Sequence, residues 1–163
     1  MVNSLQLATE LGQLLLRKKW TITTAESCTG GGIGYWLTAV AGSSAYVDRA
    51  FITYSNKAKQ QLLAVRSATL LQFGAVSEQT ATEMAAGAAK AAGAQFAISV
   101  TGIAGPEGGS KDKPVGTVCF GFYLDGSIIS LTERFSGDRQ QVRQQSIDYA
   151  LKRSIELLTA SLN

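Results

Sequence analysis

The order of helical and extended segments limits the folds open to this chain more than any other feature. Apolar residues recur at helical spacing over residues 3–18, and the short β-branched run from Trp20 to Thr24 predicts a strand after that helix. Further along, the patterns predict a helix over 33–40, a strand over 50–54, helices over 56–64, 67–72 and 77–92, and a strand over 95–100. Alternating strands and helices are typical of a parallel sheet covered by helices.

The last third of the chain departs from this alternation. Two extended runs, 116–124 and 127–135, are separated by Asp125 and Gly126, and an Asp-Gly pair in that position is a strong β-hairpin signal. Apolar residues at helical spacing then predict a helix from Asp138 onward. Because a hairpin adds antiparallel strands, we predict an α/β domain of three layers, α/β/α, around a mixed sheet.

Length and composition agree with one folded unit. The chain has 163 residues, of which 45% are hydrophobic and 17% charged, as in ordinary globular domains. No apolar run reaches the roughly 20 residues of a membrane helix, and no secretory segment opens the chain. The two cysteines, Cys28 and Cys119, follow no pattern and suit a reducing compartment, so we expect a cytoplasmic protein.

The sequence contains no histidine, and this excludes several classes of catalytic site. Ser-His-Asp triads, Cys-His dyads and histidine zinc motifs all require the imidazole, and two cysteines are too few for a thiolate zinc cage. Glu26, Glu107, Asp112 and Asp138 lack a metal-ligand spacing, so we expect neither a metal nor a cofactor. Acid–base chemistry is left to Asp, Glu, Lys, Tyr or an activated hydroxyl.

The net charge of +3 does not point to nucleic acid. The densest basic run, Arg17 to Lys19, closes a predicted helix, where cations interact favourably with the helix dipole. The interleaved basic and aromatic residues of single-strand binders are missing. We therefore expect no nucleic-acid partner and no membrane partner.

Three polar segments rich in small residues each follow a predicted strand: 26–32, 54–59 and 101–109. Ligands of open α/β sheets bind beyond the carboxyl ends of the strands, so parallel neighbours would bring these segments to one cleft. The first segment is either a phosphate-binding helix start or a capped helix start with a tight turn. The third offers Thr101 and many backbone N–H groups, or is a flexible loop. Neither glycine loop completes a Walker A or Rossmann pattern.

The second segment carries the residues best suited to hydrolysis without histidine. A lysine whose pKa is lowered by burial can take a proton from a serine hydroxyl, and Lys57 and Lys59 are the candidates. The alternative without a catalytic role is that both lysines are solvated helix residues. The candidate nucleophiles are Ser27, Ser43, Ser44 and Ser55.

Arg139 and Arg143 lie four residues apart and so share one face of the last predicted helix. Two guanidinium groups near a helix start suit a phosphate or a carboxylate. The alternative is a solvated face whose helix is capped by Asp138.

Several motifs occur together in a characteristic order and spacing. They are Thr24–Gly31, Gly42–Ser44, Thr53–Asn56 with Lys59, Gly74–Ser77, Thr101–Pro106 with Gly108 and Gly109, Lys113–Val118, and Phe135–Arg139. In this arrangement the chain resembles the CinA C-terminal domain family over roughly residues 5–160. The resemblance implies one domain over 1–163, without the additional N-terminal domain of larger family proteins, and self-association as a homodimer or larger oligomer.

The resemblance also implies an activity, the hydrolysis of nicotinamide mononucleotide to nicotinic acid mononucleotide and ammonia. By motif position, Ser44 would be the nucleophile, Lys59 the base and Tyr54 an assisting group. The substrate would be held by Ser27, Thr29, Gly30, Thr101, Gly102, Gly105, Arg139 and Arg143. The alternative is an inactive or altered paralogue that binds a phosphorylated, nucleotide-like ligand. A lowered pKa of Lys59 would favour the enzyme, since a binding module has no need of a desolvated lysine.

Overall fold

A computed structural model of the chain describes residues 3–162. The helices are α1 (Ser4–Lys18), α2 (Gly32–Ala39), α3 (Asn56–Leu63), α4 (Ser67–Phe73), α5 (Glu78–Ala92) and α6 (Arg139–Ala160). The strands are β1 (Ile22–Glu26), β2 (Phe51–Ile52), β3 (Phe96–Gly102), β4 (Thr117–Leu124) and β5 (Ser127–Arg134). A short 3-10 helix at Ser43–Ala45 follows α2.

The five strands form one sheet in the order β2-β1-β3-β4-β5. Strand β1 pairs in parallel with both β2 and β3, whereas β4 is antiparallel to β3 and β5 is antiparallel to β4. Asp125 and Gly126 form the hairpin turn, both at positive φ (43° and 105°), as the favoured two-residue turns require. The predicted mixed sheet is confirmed.

Each face of the sheet packs against helices, because side chains alternate along the strands. On one face, Phe96, Ile98 and Val100 of β3 pack in a core with α1, α2 and α6. On the other face, Ala97 and neighbouring small residues pack against α3 and α5. The three layers predicted from the sequence are therefore present.

The second strand is shorter than its sequence suggests. Residues 50–54 predict a five-residue strand, but only Phe51 and Ile52 pair with β1. The chain then leaves the sheet, and the Ser55 hydroxyl accepts the N–H of Ala58 to cap α3. Within residues 3–162 no helix is long and apolar enough to cross a membrane.

Candidate functional site

The carboxyl ends of β1, β2 and β3 lie side by side because the three strands are parallel. The predicted segments 26–32, 54–59 and 101–109 therefore meet at one edge of the sheet, as the sequence predicts. The first turn of α6 lies at the same edge, since Arg139 donates to the Gly105 carbonyl (2.8 Å) and Arg143 to the Cys28 carbonyl (3.1 Å).

Lys59 lies at the centre of this edge. Its side chain is buried, with 1% of the residue exposed. The amine lies 3.1 Å from the Ser27 hydroxyl, 3.0 Å from the Thr53 carbonyl and 3.2 Å from the Tyr54 carbonyl. It forms no ion pair within the described chain. This lysine is not the solvated helix residue of the alternative interpretation.

Burial lowers the pKa of the Lys59 amine below its ordinary value of 10.5, because the charged form loses its hydration. A neutral amine has two N–H donors and one lone pair. If the Thr53 and Tyr54 carbonyls accept the two donors, the lone pair faces the Ser27 hydroxyl. The geometry therefore suits Lys59 as the acceptor of the Ser27 proton.

Close packing of α3 against α5 holds Lys59 in place. A Cβ atom on Gly87 of α5 would lie 1.9 Å from the carbonyl oxygen of Leu63, the last residue of α3. No other residue type therefore permits this approach of the two helices without a shift.

The pair that the resemblance implies, Ser44 with Lys59, is not formed. Ser44 is exposed and lies beside the start of β1, where the N–H of Ile22 donates to the Tyr46 carbonyl (2.8 Å). Ser27 follows the opposite end of β1, about 17 Å from Ile22 for five residues at about 3.3 Å each. Helix α2 runs back along the sheet and takes the chain away from the site. The serine beside the amine is Ser27.

The Tyr54 side chain points away from the amine and is 62% exposed. Its hydroxyl accepts a hydrogen bond from Arg139 (3.2 Å), and the same guanidinium donates to the Gly105 carbonyl. The contact of Tyr54 with Lys59 is through its backbone carbonyl. Tyr54 therefore orients the amine, while its ring and hydroxyl lie at the mouth of the site.

Arg139 and Arg143 bring positive charge to this mouth. Asp138 caps α6 with a full capping box, as the alternative of a solvated helix face also expects. Arg143 donates to the Cys28 carbonyl and to Gln140, and neither arginine pairs with a carboxylate in residues 3–162. A cavity of about 460 Å³ opens beside Arg143, lined on its other side by Gly30.

The N-terminus of α2 is closed to an external anion by a carboxylate of the chain itself. The N–H groups of Ile33 and Gly34 donate to Glu26, and so does the Thr29 hydroxyl. The capped helix start is therefore the interpretation that the geometry favours for the first segment. Of this segment, Gly30 remains exposed, with φ of +60°.

The third segment is shaped by its own contacts. The Thr101 hydroxyl donates to the Ala75 carbonyl (2.8 Å), so it is already engaged. Gly102 packs closely on Val118, since an added Cβ would lie 2.8 Å from its side chain. The Gly105 carbonyl holds Arg139. The segment is a shaped wall of the site and not a free loop.

Two other reactive groups take no part. Burial raises the pKa of the Cys28 thiol to about 12, so it stays protonated and is a poor nucleophile despite its place next to Ser27. Lys57 is exposed, which agrees with the alternative that it is a solvated helix residue. No cluster of three Asp, Glu or Cys side chains suited to a metal ion occurs in residues 3–162.

Comparison with known proteins gives a family. The profile of the CinA C-terminal domain matches residues 4–158. The chain belongs to the CinA C-terminal domain family. It is 54% identical over 151 residues to the nicotinamide-nucleotide amidohydrolase PncC of Enterobacter agglomerans, which covers 92% of each chain. It is also 54% identical over 149 residues to the nicotinamide-nucleotide amidohydrolase PncC of Escherichia coli K12, which covers 91% of this chain and 90% of the relative.

A solved structure gives the same result for the CinA fold. A competence-damaged protein (CinA) superfamily protein from Klebsiella pneumoniae superposes with a TM-score of 0.94 at 40% identity, covering 98% of this chain and 99% of the other. The family that the motifs indicate is thus confirmed, and so is its α/β fold with a mixed sheet.

Sequence reasoning missed three contributors to the site of this CinA domain. The Thr53 carbonyl carries no side-chain signal and is visible only in the fold. Gly87 lies within an Ala-rich helix, where a glycine that weakens the helix signals a close approach. Glu26 directly precedes Ser27, and a lone acid at the end of a predicted strand is a weak signal by itself.

Proposed function

We propose that this chain is a nicotinamide-nucleotide amidohydrolase in which Ser27 is the nucleophile and Lys59 is the base. The substrate is nicotinamide mononucleotide, and the products are nicotinic acid mononucleotide and ammonia. The observation that carries the mechanism is the 3.1 Å contact between the Ser27 hydroxyl and the buried Lys59 amine. The substrate comes from the names of the PncC relatives, which are about half identical to this chain over nearly its whole length.

In the first half-reaction, neutral Lys59 takes the proton of Ser27 as the serine oxygen attacks the carboxamide carbon. A C–O bond forms and the carbonyl oxygen becomes an oxyanion. When the tetrahedral intermediate collapses, the Lys59 ammonium returns the proton to the amide nitrogen. The C–N bond breaks, ammonia leaves, and the nicotinoyl group remains as an ester on Ser27.

In the second half-reaction, Lys59 takes a proton from water, and the resulting hydroxide attacks the ester carbon. Collapse of this intermediate returns the proton to the Ser27 oxygen and releases the carboxylic acid, which loses its remaining proton to solvent and becomes the carboxylate product. The amine is neutral at the start of both halves. A lysine with an ordinary pKa would be protonated near pH 7, so the lowered pKa of Lys59 is a condition of the mechanism.

The phosphate of the substrate is assigned to the Arg139 and Arg143 pair. Both guanidinium groups contact only neutral oxygens of the described chain, so their charge is free to meet a phosphate. The cavity beside Arg143 and Gly30 is large enough for a phosphoribosyl group, at about 460 Å³. Tyr54 lies between this mouth and the amine, in a position to contact the substrate.

The remaining features of the proposal rest on composition and resemblance. We propose an enzyme that works in the cytoplasm, without a cofactor, as a homodimer or larger oligomer. Both cysteines are free thiols, which suits a reducing compartment.

The test is ammonia release from nicotinamide mononucleotide by five proteins: wild type, Ser27→Ala, Lys59→Ala, the double variant of these two residues, and Ser44→Ala. We expect the first two variants to lose at least about a thousandfold in kcat/KM, and the double variant to be little worse, because the residues act as a unit. Ser44→Ala is the matched control and should keep wild-type activity.

Three results would contradict the proposal. Loss of activity in Ser44→Ala with activity retained in Ser27→Ala would return the nucleophile to Ser44. Near-full activity in Lys59→Ala would exclude the amine as the base. An inactive wild type whose melting temperature is raised by the nucleotide would identify a binding paralogue.

A further inference from the structure

Glu26 is a buried carboxylate that the mechanism above does not use. It is the last residue of β1, directly before Ser27, and it is 0% exposed. One oxygen accepts from the Thr29 hydroxyl (2.7 Å) and the Ile33 N–H (2.9 Å). The other accepts from the Thr24 hydroxyl (3.0 Å) and the Gly34 N–H (2.9 Å). Four donors thus converge on one side chain.

These four hydrogen-bond donors stabilise the Glu26 carboxylate in place of a cationic side chain. Glu26 forms no ion pair within residues 3–162. Two of its donors are N–H groups in the first turn of α2, where the helix dipole favours a negative charge. The residue in the N-cap position of α2 is Gly31, which has no side chain to cap the helix. Glu26 supplies the missing cap from the preceding strand.

The contacts of Glu26 hold the loop that carries Ser27. Side chains alternate along β1, so Glu26 and Ser27 project to opposite faces of the sheet. The Ser27 N–H donates to the Val100 carbonyl (2.9 Å), and the loop is tied again two residues later by Thr29 on Glu26. With the backbone fastened at both points, the Ser27 hydroxyl is left facing Lys59.

We propose that Glu26 is a positioning residue for the nucleophile: its carboxylate fixes the Ser27–Gly31 loop and the start of α2 so that the Ser27 hydroxyl stays in contact with the Lys59 amine. The inference rests on the proposed role of Ser27. The loop needs such an anchor because it runs into Gly30, Gly31 and Gly32, and glycines give the unanchored backbone wide conformational freedom. Misplacement by about 1 Å can reduce a rate about a hundredfold.

The main variant is Glu26→Gln, which keeps the shape and one acceptor oxygen. Its NH₂ group would face donors, so two of the four hydrogen bonds are lost or become repulsive. We expect kcat for nicotinamide mononucleotide to fall about 10- to 100-fold and KM to change less than about threefold, since the substrate-binding groups stay in place. A weaker variant, Thr29→Val, should lower kcat in the same direction by about 3- to 10-fold.

A second readout does not depend on the substrate. Sulfonylation of Ser27 by phenylmethylsulfonyl fluoride, followed by mass spectrometry, reports the reactivity of the hydroxyl directly. The labelling rate should fall in parallel with kcat in Glu26→Gln and Thr29→Val. The matched control is Glu83→Gln, because Glu83 also accepts a backbone N–H, that of Arg66 (2.9 Å), and a hydroxyl, that of Thr69. It should lower the melting temperature and leave kcat and labelling unchanged.

The outcomes separate the inference from the proposed function. Folded Glu26→Gln with kcat and labelling within twofold of wild type would overturn the inference, and if that variant does not fold, the same result for Thr29→Val would do so. Labelling of Ser27 without ammonia release in the wild type would refute the proposed substrate, and the labelling rates of the variants would still decide the role of Glu26. A wild-type Ser27 that neither labels nor turns over would overturn both proposals.

Discussion

Replacing Gly87 with alanine tests whether helix packing positions the Lys59 amine, the proposed base. The added Cβ would lie 1.9 Å from the Leu63 carbonyl oxygen, whereas ordinary contact begins near 3.4 Å. Helix α3 must therefore move by about 1.5 Å relative to α5. The Lys59 amine lies 3.1 Å from the Ser27 hydroxyl, so a shift of this size in any outward direction breaks the hydrogen bond.

The expected loss of stability is small, and the expected loss of activity is large. Overpacking costs about 1–3 kcal/mol, and the better helix propensity of alanine offsets up to about 1 kcal/mol of that. At about 2–4 °C per kcal/mol for a domain of this size, the melting temperature should fall by less than about 12 °C. Misplacement of the base by more than 1 Å should lower kcat about a hundredfold or more.

The assay is steady-state ammonia release, measured well below the melting temperature of the variant. The control is Gly121→Ala, whose Cβ would lie 2.5 Å from the Ala81 carbonyl oxygen in the contact between β4 and α5. It should destabilise the fold by a similar amount and keep kcat. A folded Gly87→Ala variant with wild-type kcat would show that α3 does not set the position of Lys59, and the reasoning from packing to catalysis would fail.

Two further predictions concern Lys59 and Tyr46. Because burial lowers the pKa of Lys59 from 10.5, the unfolded chain binds more protons than the folded chain between the two pKa values. The free energy of unfolding of wild type, relative to Lys59→Met, should therefore rise with pH across that window, as measured by urea unfolding at several pH values; a flat difference would exclude the lowered pKa. The Tyr46 hydroxyl is buried without a hydrogen-bond partner in residues 3–162. Tyr46→Phe should accordingly raise the free energy of unfolding by about 1 kcal/mol in thermal melts, and a lower melting temperature would mean that the hydroxyl is paired.

The sequence predicts those elements of the fold whose structure is determined by the residues of a single segment. Helix α5 and strand β3 have clear periodicities, and Asp125-Gly126 determines its turn through local backbone preference. The length of β2 is different. Its five β-prone residues predict a longer strand, but only Phe51 and Ile52 pair with β1. Helix α3 begins where it is predicted, and the carbonyls of Thr53 and Tyr54 before it accept from the Lys59 amine. Competition between neighbouring elements decides such boundaries, and a single pattern does not contain it.

Some features of the candidate site are likewise predicted from the sequence, whereas others require the fold. The sequence predicts that three loops meet beyond the parallel strands. It leaves Lys57 and Lys59 as candidate bases, and the family resemblance implies Lys59, whose burial and lowered pKa fit that hypothesis. The serine that contacts Lys59 could be identified only from the direction in which α2 runs. A helix after β1 returns the chain to the start of the strand, which places Ser44 at the far end and leaves Ser27 at the site. Ser27 and Ser44 are thus close in sequence but lie at opposite ends of the strand.

The alternation of side chains along β1 also explains how the Glu26 carboxylate and the buried Lys59 amine coexist around the same serine, since Glu26 directly precedes Ser27 and Lys59 contacts its hydroxyl. If Glu26 projected to the face of Lys59, the two groups would pair and the carboxylate would raise the pKa of the amine. A protonated amine has no lone pair for the Ser27 proton. Because Glu26 instead projects to the face of α2, its charge stabilises a helix start while the amine on the other face meets only carbonyls and a hydroxyl. The two faces of β1 therefore separate the carboxylate that we propose holds the loop from the amine that we propose as the base.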